Sequence, residues 1–190
     1  MRAYESLPEG YQELCKLDLQ KDKKLAFWLN FWAAVVGVIM IAVPWILIGN
    51  PFKLPTWQWL IILGADIVYI VLHELVHGIA MKSVGTKKVK YGFTGLYAFA
   101  GSKDYYDKSS YIMIALAPVI VWGVVLAIAQ FFTPNEFFWI PWFIQITNIS
   151  GAAGDAYVTA RFSKLPKDIL VTDYGVGMTV YSKQGNANES

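Results

Sequence analysis

Four long apolar segments set the hydrophobic pattern of the chain, and polar stretches separate them. The segments are residues 25–49, 57–81, 111–132 and 137–161. A helix of about 20 mostly apolar residues crosses the hydrocarbon core of a bilayer, so each segment is long enough to span it. Pro44 and Pro118 lie inside two of the segments, where we expect kinks that membrane helices tolerate. The pattern therefore predicts an all-α membrane protein with about four transmembrane helices.

The loop after the second apolar segment has a different pattern. Residues 82–110 alternate small, aromatic and polar side chains and contain several glycines. This alternation predicts a small strand-like element, short strands or a hairpin, lying at the membrane surface. Residues 168–181 also have some β character, whereas residues 183–190 are polar and are expected to be disordered.

The basic residues are distributed unevenly among the polar stretches. Fifteen of the sixteen Lys and Arg residues lie in 1–24, 82–110 and 161–190. Short cytoplasmic loops carry an excess of Lys and Arg, so these three stretches are predicted to lie on the cytoplasmic side. We expect a multi-pass protein of a cell membrane, of bacterial type, with both termini in the cytoplasm. The chain then divides into a cytosolic segment 1–24, a transmembrane core 25–162 and a cytosolic tail 163–190.

The composition supports a membrane protein and excludes several other classes. The 190 residues are 56% hydrophobic and only 16% charged, against about a quarter charged in soluble domains. The net charge of +2 gives no basic surface for nucleic acid. The single cysteine, Cys15, excludes a disulfide framework. The polar N-terminus does not match a secretory signal, so the first apolar segment is expected to be an uncleaved anchor.

The second apolar segment contains both histidines of the chain in the sequence HELVH. His73 and His77 are four residues apart, so they share one helix face and can bind one zinc ion. Glu74 points about 100° away from His73 around the helix, and from there it can act as a general base toward a water on the metal. The alternative is a satisfied polar cluster between helices. Ionisable groups inside a membrane are costly, which favours the metal site.

A hydrolytic zinc site needs a third protein ligand, and the chain has no third histidine. Asp155 lies six residues before Arg161, as His77 lies five before Lys82, so the two residues are expected at similar depth. Asp155 is therefore placed to complete the site, the alternative being an interfacial carboxylate at a helix end. Asp66 lies about 10 Å deeper and is expected to line a polar cavity or bond a neighbouring helix.

Asn148 lies seven residues before Asp155, so the two residues share a helix face. Its amide is predicted either to bind the backbone of a substrate or to hold the helix pair in register. The small residues at 151–154 are expected to allow a close approach between helices.

The HELVH sequence, followed in a later span by Asn148 and Asp155, resembles the site-2 protease class of intramembrane zinc metalloproteases. The chain resembles more closely a small bacterial membrane family described as zincin peptidases. That similarity extends over about residues 60–160 and includes the adjacent Ala117 and Pro118. The resemblance implies that zinc is bound by His73, His77 and Asp155 and that Glu74 is catalytic.

The chain departs from the larger class at two positions. Gly151 stands where that class has a proline, and Gly154 precedes Asp155 where that class has a glycine after the aspartate. These departures leave the ligand assignment of Asp155 intact and weaken the substrate-binding assignment of Asn148.

The leading hypothesis is a zinc-dependent intramembrane endopeptidase that cleaves a peptide or membrane-protein substrate near the cytosolic end of a span. The second hypothesis is a non-catalytic metal-binding regulator or a pseudoprotease. The presence of Glu74 favours the enzyme, because a pseudoprotease is expected to lose this residue first. The sequence leaves the oligomeric state open.

Overall fold

The computed structural model describes residues 2–18, 21–95, 97–175 and 177–183. The predicted disorder of the C-terminal residues falls mainly on 184–190, which lie outside the described residues. The fold is mostly helical. Its helices are α1 (Lys23–Leu47), α2 (Thr56–Ser83), α3 (Lys108–Phe132), α4 (Trp139–Gly151) and α5 (Ala153–Ser163).

Three helices, α1, α2 and α3, are long and apolar enough to cross a membrane. Large hydrophobic side chains remain exposed along them, including Trp32, Leu63 and Ile128. Exposed apolar surface on this scale is unfavourable in water and is expected where helices face lipid. The structure is thus compatible with the predicted membrane protein, and it forms long helices over the first three predicted spans. Both internal prolines, Pro44 and Pro118, lie inside continuous helices.

The fourth predicted span, 137–161, is not a single helix. Helix α4 ends at Gly151 and α5 begins at Ala153, so the segment is divided at Ala152. Neither part has the length that a transmembrane helix needs. Two glycines within four residues weaken helix propagation here, which explains the break in physical terms. A hydropathy count does not detect the break, because residues 151–154 are all small and uncharged.

The prediction of an all-α fold was correct only in part, because the described residues also form two β-sheets. The larger one has five strands: β1 (Ala3–Tyr4), β2 (Tyr11–Leu17), β5 (Tyr105–Asp107), β6 (Leu170–Asp173) and β7 (Met178–Lys183). The strand order is β1-β5-β6-β7-β2, and every neighbouring pair is antiparallel. The N-terminal segment, the loop between α2 and α3 and the C-terminal tail therefore meet at one end of the helices.

The smaller sheet is a hairpin of β3 (Lys90–Phe93) and β4 (Ala98–Gly101). It confirms the predicted strand-like element in the loop, just as β6 and β7 confirm the β character of the tail. Strand β4 packs against α2. The hairpin therefore lies directly over α2, the helix that carries both histidines.

The buried core lies between the five-stranded sheet and the adjacent ends of the helices. Tyr106, Val171 and Val180 contribute from the sheet, while Met81 and Phe162 contribute from α2 and α5. All five side chains are almost completely buried. The water-excluding interior of the protein is therefore concentrated where the sheet meets the helices, and this packing fixes the sheet beside the histidines.

Helix α3 starts where its sequence provides a capping residue. The side chain of Asp107 accepts a hydrogen bond of 2.8 Å from the backbone N–H of Ser110. Partial burial acts to raise the pKa of Asp107, but hydrogen bonds from Ser110 and Ser109 outweigh it and hold that pKa below its usual value. The ionised cap stabilises the helix start and fixes the rotation of α3 relative to the sheet.

Candidate metal centre

Both histidines lie on one face of α2, in the C-terminal half of the helix. The rings of His73 and His77 are 5.0 Å apart between centroids and inclined by 74°. The i, i+4 spacing predicted this common face, because the two positions lie one turn apart on a helix. The nitrogen Nε2 of each ring points toward the same carboxylate.

That carboxylate belongs to Asp155, in the first turn of α5. Its Oδ2 lies 3.5 Å from His73 Nε2 and 3.6 Å from His77 Nε2. The helix break at Ala152 places Asp155 in the first turn of α5, and the N-terminal end of a helix is favourable for a negative charge. The structure therefore brings together the three residues that the sequence selected as ligands.

The spacing of these donor atoms fits a zinc ion. One ligand atom from each residue can be chosen so that all three lie within 4.8 Å of one another. Zinc bonds of about 2.0–2.1 Å in tetrahedral geometry give distances of roughly 3.3–3.4 Å between ligand atoms. The observed 3.5 and 3.6 Å are close to that edge length. Two imidazoles and a carboxylate are also a ligand set that zinc accepts while keeping a fourth position open.

The orientation of His77 depends on a backbone carbonyl that Pro118 leaves free. A proline has no N–H, so Pro118 cannot donate the helical hydrogen bond to the carbonyl of Ile114, four residues earlier. That carbonyl oxygen lies 2.9 Å from Nδ1 of His77 and can only accept. His77 must therefore carry its proton on Nδ1, which leaves Nε2 unprotonated and free to bind a metal.

The orientation of His73 depends on Tyr69, one helical turn earlier. The Tyr69 hydroxyl donates to Oδ1 of Asn148 over 2.8 Å, and its oxygen lies 2.8 Å from Nδ1 of His73. Because the Tyr69 hydroxyl donates its proton in the hydrogen bond to Asn148, its oxygen must accept a hydrogen bond from the protonated Nδ1 of His73. The nitrogen Nε2 of His73 is again the free one. Such outer partners are typical of metal-binding histidines.

Glu74 lies beside the histidine pair, on the side of the hairpin. Its carboxylate accepts a hydrogen bond from the backbone N–H of Ala100 on β4 and interacts electrostatically with both histidines. Glu74 does not belong to the group of three donors. This is the position that the rotation of 100° between adjacent helical residues predicted.

A cavity of about 200 Å³ opens onto the donor atoms. Helices α2, α3 and α5 and the end of α4 form part of its wall, and the hairpin and the adjacent ends of β6 and β7 with their turn form the rest. Gly151 and Gly154 line it, and a Cβ added at either position would meet no atom within 4 Å. The expected close helix approach at these glycines is therefore absent, and their small size leaves room for the cavity.

Two polar residues predicted near the site lie outside this cavity. Asn148 is completely buried, and its amide nitrogen donates to the Val119 carbonyl and to Gln145. These contacts favour the interhelical role, and the substrate-binding role of Asn148 stays a prediction. Asp66 contacts Thr147 on α4, as expected for a bond to a neighbouring helix.

Several groups that shape the site were not identified from the sequence. Tyr69 lies four residues before His73, so helical spacing alone could have indicated its contact. Pro118 was noted only as a kink, although its position predicts a free carbonyl four residues earlier. Asp173 lies at the end of β6 and reaches the cavity from a distant part of the chain. No local pattern could have predicted that last contact.

The fold and site together define a helical protein with apolar spans and a cluster of two histidines and an aspartate suited to a metal. The chain belongs to the family described as "Putative zincin peptidase", whose profile matches residues 67–170. The match begins in α2 before the histidines and ends in β6, so it includes all three donors. The description of that family names a zinc peptidase, which agrees with the donor geometry.

A protein of Pyrococcus woesei, described as an uncharacterized 24.7 kDa protein in the gap 5' region, is 30% identical over 117 residues. The alignment covers 59% of this chain and 50% of that protein. The chain thus spans about half the length of this curated relative. No solved structure matches the chain significantly.

Metal content tests the three donors directly. We expect about one zinc per chain in detergent-purified protein, and its loss in His77→Ala and in Asp155→Ala, because each variant leaves only two protein ligands. Elemental analysis of the three proteins measures this. Zinc retained by Asp155→Ala would remove Asp155 from the ligand set, and no zinc in the unmodified protein even after its addition would contradict the metal site.

Tyr69→Phe tests the outer hydrogen bond of His73. The variant keeps the ring but removes the acceptor for Nδ1, so His73 loses its fixed tautomer and orientation. We expect zinc affinity to fall about 10–100-fold. A competitive titration with a chromophoric chelator measures it. The matched control is Tyr157→Phe, whose hydroxyl accepts from Arg161 instead. An equal zinc affinity in Tyr69→Phe and the unmodified protein would show that this bond does not tune the site.

Proposed function

We propose that the protein is a zinc-dependent intramembrane endopeptidase of the HExxH type. The observation that carries the proposal is the convergence of His73, His77 and Asp155 on one point, with Glu74 beside them at the wall of a cavity. The metal would be held by the first three residues. Membership of a family described as zincin peptidases supports the same reaction class.

Bound zinc would supply Lewis acidity, which lowers the pKa of a coordinated water and polarises the carbonyl of the scissile peptide. Glu74 takes a proton from the attacking water and returns it to the leaving amine. The hydrogen bond from Ala100 leaves the second carboxylate oxygen of Glu74 available for this transfer. Tyr69 and the Ile114 carbonyl keep both imidazoles turned toward the metal during the reaction.

The location of the site supports cleavage inside a membrane. The donor residues lie on α2 and on the broken fourth segment, and α2 is apolar enough to span a bilayer. We place the five-stranded sheet in the cytoplasm, because the stretches that form it carry fifteen of the sixteen basic residues. The bond cleaved then lies near the cytosolic end of a substrate span.

A peptide bond inside a helix is inaccessible, because its carbonyl is engaged in the helical hydrogen bond, so the substrate must first unwind. The β4 strand offers an edge to an extended substrate. The Tyr97 carbonyl bonds Thr94 within the hairpin, so alternate residues Ala98 and Ala100 direct their backbone groups away from β3. The Ala100 N–H bonds Glu74, which leaves the N–H and carbonyl of Ala98 and the carbonyl of Ala100 for a substrate. Both residues line the cavity. We propose that an unwound substrate pairs with this edge as an added strand.

Glu74→Gln separates the enzyme from a non-catalytic metal protein. The variant removes the general base but no zinc ligand, so we expect unchanged zinc content and a loss of peptidase activity of about 10²–10⁴-fold. Elemental analysis and mass-spectrometric detection of cleaved membrane-protein substrates provide the two measurements. The control is Glu13→Gln, an exposed carboxylate on β2. Full activity in Glu74→Gln would overturn the proposed mechanism.

Ala98→Pro tests the added strand. Proline is tolerated where the N–H of an edge strand faces away from its partner, so the hairpin itself is expected to remain. The substitution removes one donor and places a ring on the pairing edge, and KM is expected to rise about tenfold or more. Steady-state kinetics measure it, with Ala98→Ser as a control that keeps the N–H. An unchanged KM in the proline variant would contradict substrate pairing at this edge.

A further inference from the structure

A third carboxylate faces the cavity from the side of the sheet. Asp173 ends β6, and it lines the same cavity as Glu74 and Asp155. It lies close enough to interact electrostatically with His77 and with Asp155. The proposed mechanism assigns no role to this residue.

Asp173 is held rigidly in this position. Its Oδ2 accepts a hydrogen bond of 2.8 Å from the hydroxyl of Tyr111 on α3, and its Oδ1 accepts one of 2.8 Å from the backbone N–H of Gly175. The turn that follows is fixed against the hairpin, because a Cβ at Gly175 would overlap the ring of Phe99. The Asp173 carboxylate is therefore fixed at one position in the cavity wall.

The charges around the cavity do not balance. Among the described residues that line it are three carboxylates, and no lysine or arginine. A divalent ion at the donor triad would leave one negative charge in excess. Asp173 forms no ion pair with a Lys or Arg in the described ranges. Burial raises the pKa of Asp173, although the hydrogen bonds from Gly175 and Tyr111 act to lower it, so the ionised form is costly until a cation arrives.

The wall next to Asp173 suits the stem of a long basic side chain. Tyr111 and Met178 adjoin the carboxylate, since the Tyr111 hydroxyl also lies 3.2 Å from the sulfur of Met178. Ile114, Ala115 and Val158 continue the apolar surface toward the donor triad. A Lys or Arg side chain has an apolar stem and a charged end, and it fits a surface of this kind.

We propose that Asp173 is a specificity-determining residue that binds a lysine or arginine side chain of the substrate close to the scissile bond. The inference rests on the proposed function and names its substrate class: membrane-protein segments with a basic residue at the cytosolic end of the span. Such segments are common, because Lys and Arg are enriched on the cytoplasmic flank of transmembrane helices. Tyr111 is a positioning residue, which holds the carboxylate toward the cavity.

Binding to a catalytically inactive protein tests this recognition apart from cleavage. The zinc-loaded Glu74→Gln protein is titrated in detergent with a fluorescein-labelled Ala/Leu peptide that contains one central lysine. A second peptide with norleucine in place of lysine is the matched probe. We expect about tenfold tighter binding of the lysine peptide by fluorescence anisotropy, and a ratio near one after Asp173→Asn. Asparagine keeps an oxygen that can accept from Gly175.

Two further variants test whether the lysine preference depends on the charge of Asp173. Met178→Lys supplies an internal cation beside Asp173 and is expected to abolish the lysine preference without removing the carboxylate. Glu13→Gln removes an exposed charge of the same sheet and should leave the preference intact. Zinc content and melting temperature establish that each variant is folded. A tenfold preference that survives in either Asp173→Asn or Met178→Lys would overturn the proposal.

Cleavage of the two peptides by the unmodified protein separates the two proposals. Lysine-selective binding that depends on Asp173, with neither peptide cleaved, would support the recognition site and count against the peptidase. Cleavage of both peptides with equal kcat/KM would support the peptidase and overturn the role of Asp173. Selective cleavage of the lysine peptide supports both.

Discussion

Two imidazoles on one helix can share a metal only if both direct the same nitrogen toward it, and two hydrogen bonds enforce that condition. Nδ1 of His77 donates to a carbonyl of α3, and Nδ1 of His73 donates to a tyrosine that is itself bonded to Asn148 of α4. The His77 bond joins α2 to α3, and the bond from Tyr69 to Asn148 joins α2 to α4. The geometry of the donors and the packing of the helices are therefore one arrangement, and neither can change alone.

The third donor depends on an irregularity. In a continuous fourth helix, Asp155 would lie on the same face as Asn148, seven residues earlier. The break at Ala152 frees α5 from that constraint, and the two glycines beside it leave space for a cavity. Irregular backbone is tolerated where it is buried in protein or lines a cavity, and Gly151 and Gly154 beside this break line the cavity.

The elements that depend on local periodicity could be predicted from the sequence. The elements that form by pairing of distant segments could not. Three apolar helices, the hairpin and the common face of His73 and His77 follow from spacing and composition. The closeness of Asp155 to the histidines was predicted by counting residues from Asp155 to Arg161 and from His77 to Lys82. These counts estimate how far each residue lies from the end of its apolar segment. The five-stranded sheet could not be predicted, because β1 has two residues and its partner lies beyond two helices. Asp173 reaches the cavity only through that sheet.

The strand order constrains how the protein is made. Strand β2 pairs with β7, and β6 must be inserted between β5 and β7 before the sheet is complete. The helices with the histidines and Asp155 are synthesised earlier than β6 and β7. The cavity therefore acquires its sheet-side wall only after the helices have been synthesised, a high contact order that delays folding. Until β6 and β7 have been synthesised, the three metal donors lack the carboxylate of Asp173 that faces the same cavity.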